Sequence, residues 1–171
     1  MRYLTIVRHA ESRPASPGAA DYGRALSERG VRQCTELREW ALDATSLGRF
    51  GPTTALVSAA ERTRETFRRA FGDTPFVDQV HYSELIYNGR HDVTAEDLLA
   101  ELSAVDPVAT SLLVVAHNPT VLELMLVLAE SLPHSLRKTH YALGGSYVLA
   151  LPDDRPVGLA RYEVVASFLP G

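Results

Sequence analysis

Two short stretches carry the residues with the most chemical potential. Leu4 to Ser12 reads LTIVRHAES, an apolar, β-branched run that ends in Arg8 and His9. Ser111 to Thr120 reads SLLVVAHNPT and ends its own apolar run in His117 and Asn118. A strand interior has no use for such side chains, so each run delivers its polar residues to a strand end. A third strand-like stretch, TALVS, ends at Ser58, with Arg62 four residues on. Together these ends supply two imidazoles and two guanidiniums. Arginine offers a planar donor fork matched to phosphate oxygens, and helix N-termini add oriented amides. A histidine there can donate to an oxyanion as imidazolium or attack phosphorus as the neutral ring. Each residue taken singly is as readily structural; the three strand ends together point to an oxyanion pocket.

Competing chemistries find little support. Cys34 is the only cysteine and has Trp40 six residues on, where a cysteine phosphatase needs arginine. No D-x-D, H-E-x-x-H or Walker-type phosphate loop occurs, and GGSYV lacks the last glycine of G-x-S-x-G. Lys138, the only lysine, stands in the polar context SLRKTH, a poor setting for Schiff-base chemistry. A metal held by His9, Glu11 and His117 stays open as an alternative.

These side chains need elements to position them. The 171 residues suit one domain, and 46% apolar with 22% charged residues is ordinary globular composition. A net charge of -4 speaks against general nucleic-acid binding. A lone cysteine and the lack of any long apolar run lead us to expect a soluble, cytoplasmic protein away from membranes.

Strands are expected over Tyr3–Val7, TALVS, FVDQV, SLLVVA, GSYVLAL and LARYEVVASF, the last two joined by an Asp153-Asp154 turn. Helices are expected from Ser27 to about Ala44, with Val31, Cys34, Leu37 and Ala41 on one face; after Ser58, stopping at Gly72; after Thr94, with Pro107 beyond its end; and over TVLELMLVLAESL, with Asn118 as N-cap and Pro119 in the first turn. The alternation predicts an α/β protein: one three-layer domain over residues 1–171, a mainly parallel central sheet with helices on both faces, and an antiparallel pair at the C-terminal end. Ligands of such sheets bind beyond the carboxyl ends of the strands.

Four segments in order resemble the histidine phosphatase superfamily, also called phosphoglycerate mutase-like. They are IVRHAES, RALSERGVRQ, VSAAERTRET and LLVVAHNPTV, and within the superfamily RHAE and the short length resemble the SixA-type phosphohistidine phosphatases. The resemblance implies that His9 is the nucleophile that becomes phosphohistidine. Arg8, Arg62 and His117 would bind the phosphoryl oxygens, with Arg24 and Asn118 also near the substrate. It implies no metal or cofactor, and a phosphorylated small molecule or a phosphohistidine-bearing protein as partner. Glu84 is the candidate general acid. Ala10, Ala25 and Ala59 replace residues common elsewhere in the superfamily without removing a reactive atom. A binding module without turnover is the other reading of the same residues; oligomeric state is not read from the sequence.

Overall fold

The structure is a computed structural model, described for residues 2–43, 45–89, 91–105, 111–137, 141–152, 157–158 and 160–171. Chain order gives β1 (Arg2–Arg8), α1 (Glu28–Leu42), β2 (Thr54–Ser58), α2 (Glu61–Phe71), β3 (Gln79–Ser83), α3 (Ala95–Val105), β4 (Ser111–Ala116), α4 (Thr120–Leu128), α5 (His134–Arg137), β5 (Ser146–Leu151) and β6 (Val164–Phe168). The strands form one sheet in the order β3-β2-β4-β1-β5-β6. The pairs β3·β2, β2·β4 and β4·β1 are parallel, whereas β1·β5 and β5·β6 are antiparallel. The fold is thus α/β with a mixed sheet whose parallel half carries the polar strand ends.

Burial explains the layout. All six residues of β4 are buried, as an unbroken apolar run requires in the middle of a sheet. The sheet's side chains divide by strand alternation into two clusters. Leu4, Ile6, Leu56, Leu112 and Val114 pack with Leu98 and Leu102 of α3 and Leu124 and Leu128 of α4. Val7, Ala55, Val57, Leu113 and Val115 pack with Leu37 and Ala41 of α1 and Phe67, Ala70 and Phe71 of α2.

Local signals set several boundaries. Ser27 caps α1, its Oγ accepting from Gly30 N. Thr94 and Asp97 form a reciprocal capping box ahead of α3. Three expectations need correction. The strand expected over FVDQV begins at Gln79, because Phe76 and Val77 pack against the core before the chain pairs with β2. β3 is an edge strand with four of its five residues exposed, so burial imposes no alternation on it. Asn118 does not cap α4; Pro119 holds that position and the helix starts at Thr120. The same helix stops at Leu128, where Ala129 leaves it to bridge Tyr162, and β6 is correspondingly shorter than expected. Ala44, Pro107, Lys138 and the Asp153-Asp154 turn lie outside the described residues.

Candidate active site

Register brings the reactive residues together. Arg8 pairs with Ala116 across β1 and β4, so His9 and His117, the next residue on each strand, are neighbours. Their ring centroids are 5.1 Å apart. Val57 pairs with Val115 on the other side of β4, which sets Ser58 level with Ala116, one residue before His117. The Ser58 Oγ lies 2.7 Å from His117 Nε2.

His9 is only 8% exposed. Its backbone N–H donates to the Ala116 carbonyl and its own carbonyl accepts from Gly144 N. Its Nδ1 lies 2.8 Å from the Ala10 carbonyl oxygen. A carbonyl only accepts, so the proton is on Nδ1 and the neutral ring keeps its lone pair on Nε2. Burial is the largest influence on its pKa and lowers it. The Ala10 hydrogen bond opposes this, and the charges of Arg62, Arg8 and Arg24 reinforce it, leaving a value of about 3. His117 is held well below the ordinary imidazole range, first by burial and then by His9 and Arg62. Both rings are therefore neutral at pH 7.

The arginines are fixed by the protein. Arg62, buried in the first turn of α2, donates through its two terminal nitrogens to the Asp21 carbonyl (3.0 Å) and Asp21 Oδ2 (3.1 Å). Arg24 donates to Asp21 Oδ1, Ser12 Oγ and the Arg13 carbonyl. Arg8 donates to the Tyr141 carbonyl at 2.6 Å, while its Nε is buried without a protein partner. His117 Nδ1 and Asn118 Oδ1 are also buried without one. Since buried polar atoms are nearly always satisfied, Arg8 Nε is a donor suited to a bound oxyanion, and His117 Nδ1 is one in the tautomer whose Nε2 accepts from the Ser58 hydroxyl.

Thr66 ties helix to strand end: its Oγ1 accepts from Ala10 N at 3.0 Å and donates to the Arg62 carbonyl at 2.7 Å. Glu84 follows β3 with its side chain exposed, and its carbonyl accepts from Tyr87 N. The metal alternative loses a ligand. Glu11 is turned to the start of α1, where Ser27 Oγ and Arg29 donate to its carboxylate, and no group of three metal-ligating side chains occurs among the described residues.

Asp21, Tyr87 and Thr66 are site residues that sequence reasoning missed. Asp21 joins Arg62, Arg24 and the Tyr87 hydroxyl, which donates to Oδ2 at 2.7 Å. Burial pushes its carboxyl up, but hydrogen bonds from Tyr87, Arg24 and Arg62 outweigh this and bring it to about 2. The only sequence signal was an acid three residues before Arg24.

No family model matches the chain. An uncharacterized Mycobacterium tuberculosis protein is 34% identical over 130 residues, spanning 72% of this chain and 70% of its own length. An uncharacterized Mycobacterium leprae protein is 30% identical over 128 residues, 73% and 72% of the two chains. SixA from Agrobacterium tumefaciens superposes over 99% of both chains with a TM-score of 0.77 and 26% identity. SixA from Nakamurella multipartitia covers 99% of this chain and 96% of its own, with a TM-score of 0.75 and 28% identity. A protein histidine phosphatase SixA complexed with tungstate, at 17% identity and TM-score 0.70 over 96% and 95% of the chains, shares the fold.

Two neighbouring strand-end histidines with Arg62 buried beside them, on the fold these proteins share, define a phosphatase. The chain belongs to the histidine phosphatase superfamily, in its SixA-type branch. No helix among the described residues is long and apolar enough to cross a membrane.

Proposed function

We propose that residues 1–171 act as one phosphatase domain that hydrolyses protein phosphohistidine or phosphomonoesters through a phosphohistidine on His9. The observation that carries this is the neutral, buried His9, its Nε2 lone pair free, 5.1 Å from His117 and among three arginines. Nε2 attacks phosphorus while Arg8, Arg62 and His117 Nδ1 hold the phosphoryl oxygens. Water then attacks the phosphohistidine and releases phosphate. Fixed guanidiniums compensate the charge that a metal ion handles in other phosphoryl transfers.

Incubation with a labelled phosphodonor is expected to place an acid-labile, base-stable label on His9. Turnover of an aryl phosphate, whose leaving group needs no proton, separates an enzyme from a binding module. A His9→Ala protein that retains full turnover would overturn the mechanism.

A further inference from the structure

The sheet ends in two edge strands, and they are finished differently. The β5·β6 ladder carries a register shift at Val148 and Leu149, and β6 is mostly half-buried. β3 pairs with β2 without interruption, and its residues, QVHYS, include no Lys, Arg, Asp, Glu or Pro. Native single chains guard an exposed edge with such residues, a bulge or a covering segment, because bare N–H and C=O groups template another strand. Ala59 N donates to the Ser83 carbonyl, and Gln79 N donates to the Thr53 carbonyl. Residues 79, 81 and 83 therefore turn their backbone polar groups toward β2, and alternation turns those of Val80 and Tyr82 outward. The side chains of Val80 and Tyr82 lie on the α2 face, level with Ala55 and Val57. Both are exposed, as is Leu85 just beyond the strand.

Charge adds a register to this edge. On α2, the Arg64 guanidinium stands 4.8 Å from the Tyr82 ring centroid. Its Nε is buried without a hydrogen-bond partner, and no carboxylate pairs with it among the described residues. Asp78 is exposed at the start of the strand.

We propose that β3 is a homodimer interface, pairing antiparallel with β3 of a second copy about a two-fold axis at Val80. Two six-stranded sheets then join into one. Val80 faces its own copy and exchanges two backbone hydrogen bonds through its outward groups. Tyr82 faces Asp78 of the partner subunit. Opposed residues of an antiparallel pair share a face, so that carboxylate arrives beside Arg64, twice by symmetry. Sliding the axis to His81 would set Asp78 against Glu84 of the partner subunit, like charge on like. Sliding it to Tyr82 would set that carboxylate against apolar Val80. The joined strands run in opposite directions, so the two His9 sites open at opposite edges of the sheet and neither completes the other.

The test is the solution mass, by light scattering after size exclusion, over a concentration series reaching roughly 500 µM, since a small interface associates weakly. The wild type should climb from 18.7 kDa toward twice that value, while Val80→Lys stays at 18.7 kDa. Arg64→Asp should weaken association by about tenfold, the loss of two exposed ion pairs, and adding Asp78→Arg to it should restore the wild-type curve. Amide exchange at Val80 and Tyr82 should slow as the concentration rises. A wild type that stays monomeric throughout, or a Val80→Lys protein that still dimerises, overturns the proposal. A charge exchange that restores nothing overturns the Val80 axis, and it decides the matter should Val80→Lys not fold. Turnover of an aryl phosphate per chain should be equal in wild type and Val80→Lys. A wild type that dimerises without turnover refutes the phosphatase reading and leaves this interface standing.

Discussion

At the scale of single residues, the hydrogen bond from His9 Nδ1 to the Ala10 carbonyl does two things at once. It fixes the tautomer, and it orients Nε2 while burial keeps the ring unprotonated. With the pKa near 3, a carbon- or nitrogen-detected NMR titration should find the His9 ring still neutral at pH 5, where an ordinary imidazole is charged. A midpoint close to 6.5 would contradict that environment. Arg62→Ala should lose about 2–4 kcal/mol of transition-state stabilisation, the scale of a lost oxyanion donor, read as a fall in kcat/KM with the circular dichroism spectrum unchanged. Glu84 is the remaining carboxylate that the resemblance offers as an acid. If it serves, Glu84→Gln should depress alkyl phosphate turnover more than aryl phosphate turnover, by a factor of about 10² or more. Equal effects would remove it from that role.

Elements translate chain order into this geometry. Parallel pairing in register is what turns separated sequence positions into neighbours: His9 and His117 emerge side by side from β1 and β4, and Ser58, one level earlier on β2, reaches His117 through its side chain. That much was legible beforehand, because apolar runs ending in polar residues mark strand ends whether or not their neighbours are known. Arg62 and the Ser27 cap were legible for the same local reason. Asp21 was not: it sits in a proline- and glycine-containing loop with no periodicity, and its partners Arg62 and Tyr87 are 41 and 66 residues away in sequence. The start of β3 was misread because apolar Phe76 and Val77 serve packing rather than pairing, and Asn118 because a good capping side chain need not be used as one. The close contacts between elements are equally non-local. A Cβ on Gly30 would lie 2.0 Å from the Glu11 carbonyl oxygen, so α1 packs against the chain after β1 only because this residue has no side chain. Gly30→Ala should therefore destabilise the protein by about 1–3 kcal/mol, in the range of an overpacked site, seen as a lower denaturant midpoint. No shift in the midpoint would mean that the α1 N-terminus moves freely.

For the whole molecule, the same buried groups make stability depend on pH. His9 binds a proton near pH 6.5 in the unfolded chain but only near 3 when folded, and His117 is shifted in the same direction. Between those values the unfolded state holds more protons, so stability rises with pH and is lost as pH falls from 6.5 toward 3. Asp21 adds to the loss lower down, since its carboxyl titrates near 3.8 unfolded and near 2 folded. An oxyanion bound among Arg8, Arg62 and His117 acts in the opposite sense, because a ligand that binds only the folded state stabilises it by mass action. Thermal melts at pH 7 should then show Tm rising with added vanadate, and melts from pH 7 to pH 4 should show it falling. The two effects share one site, so Arg62→Ala should abolish the vanadate shift while leaving the acid-side decline, which arises from the histidines, in place. A vanadate shift that survives Arg62→Ala would put the anion elsewhere on the molecule, and the phosphoryl pocket would have to be redrawn without that guanidinium.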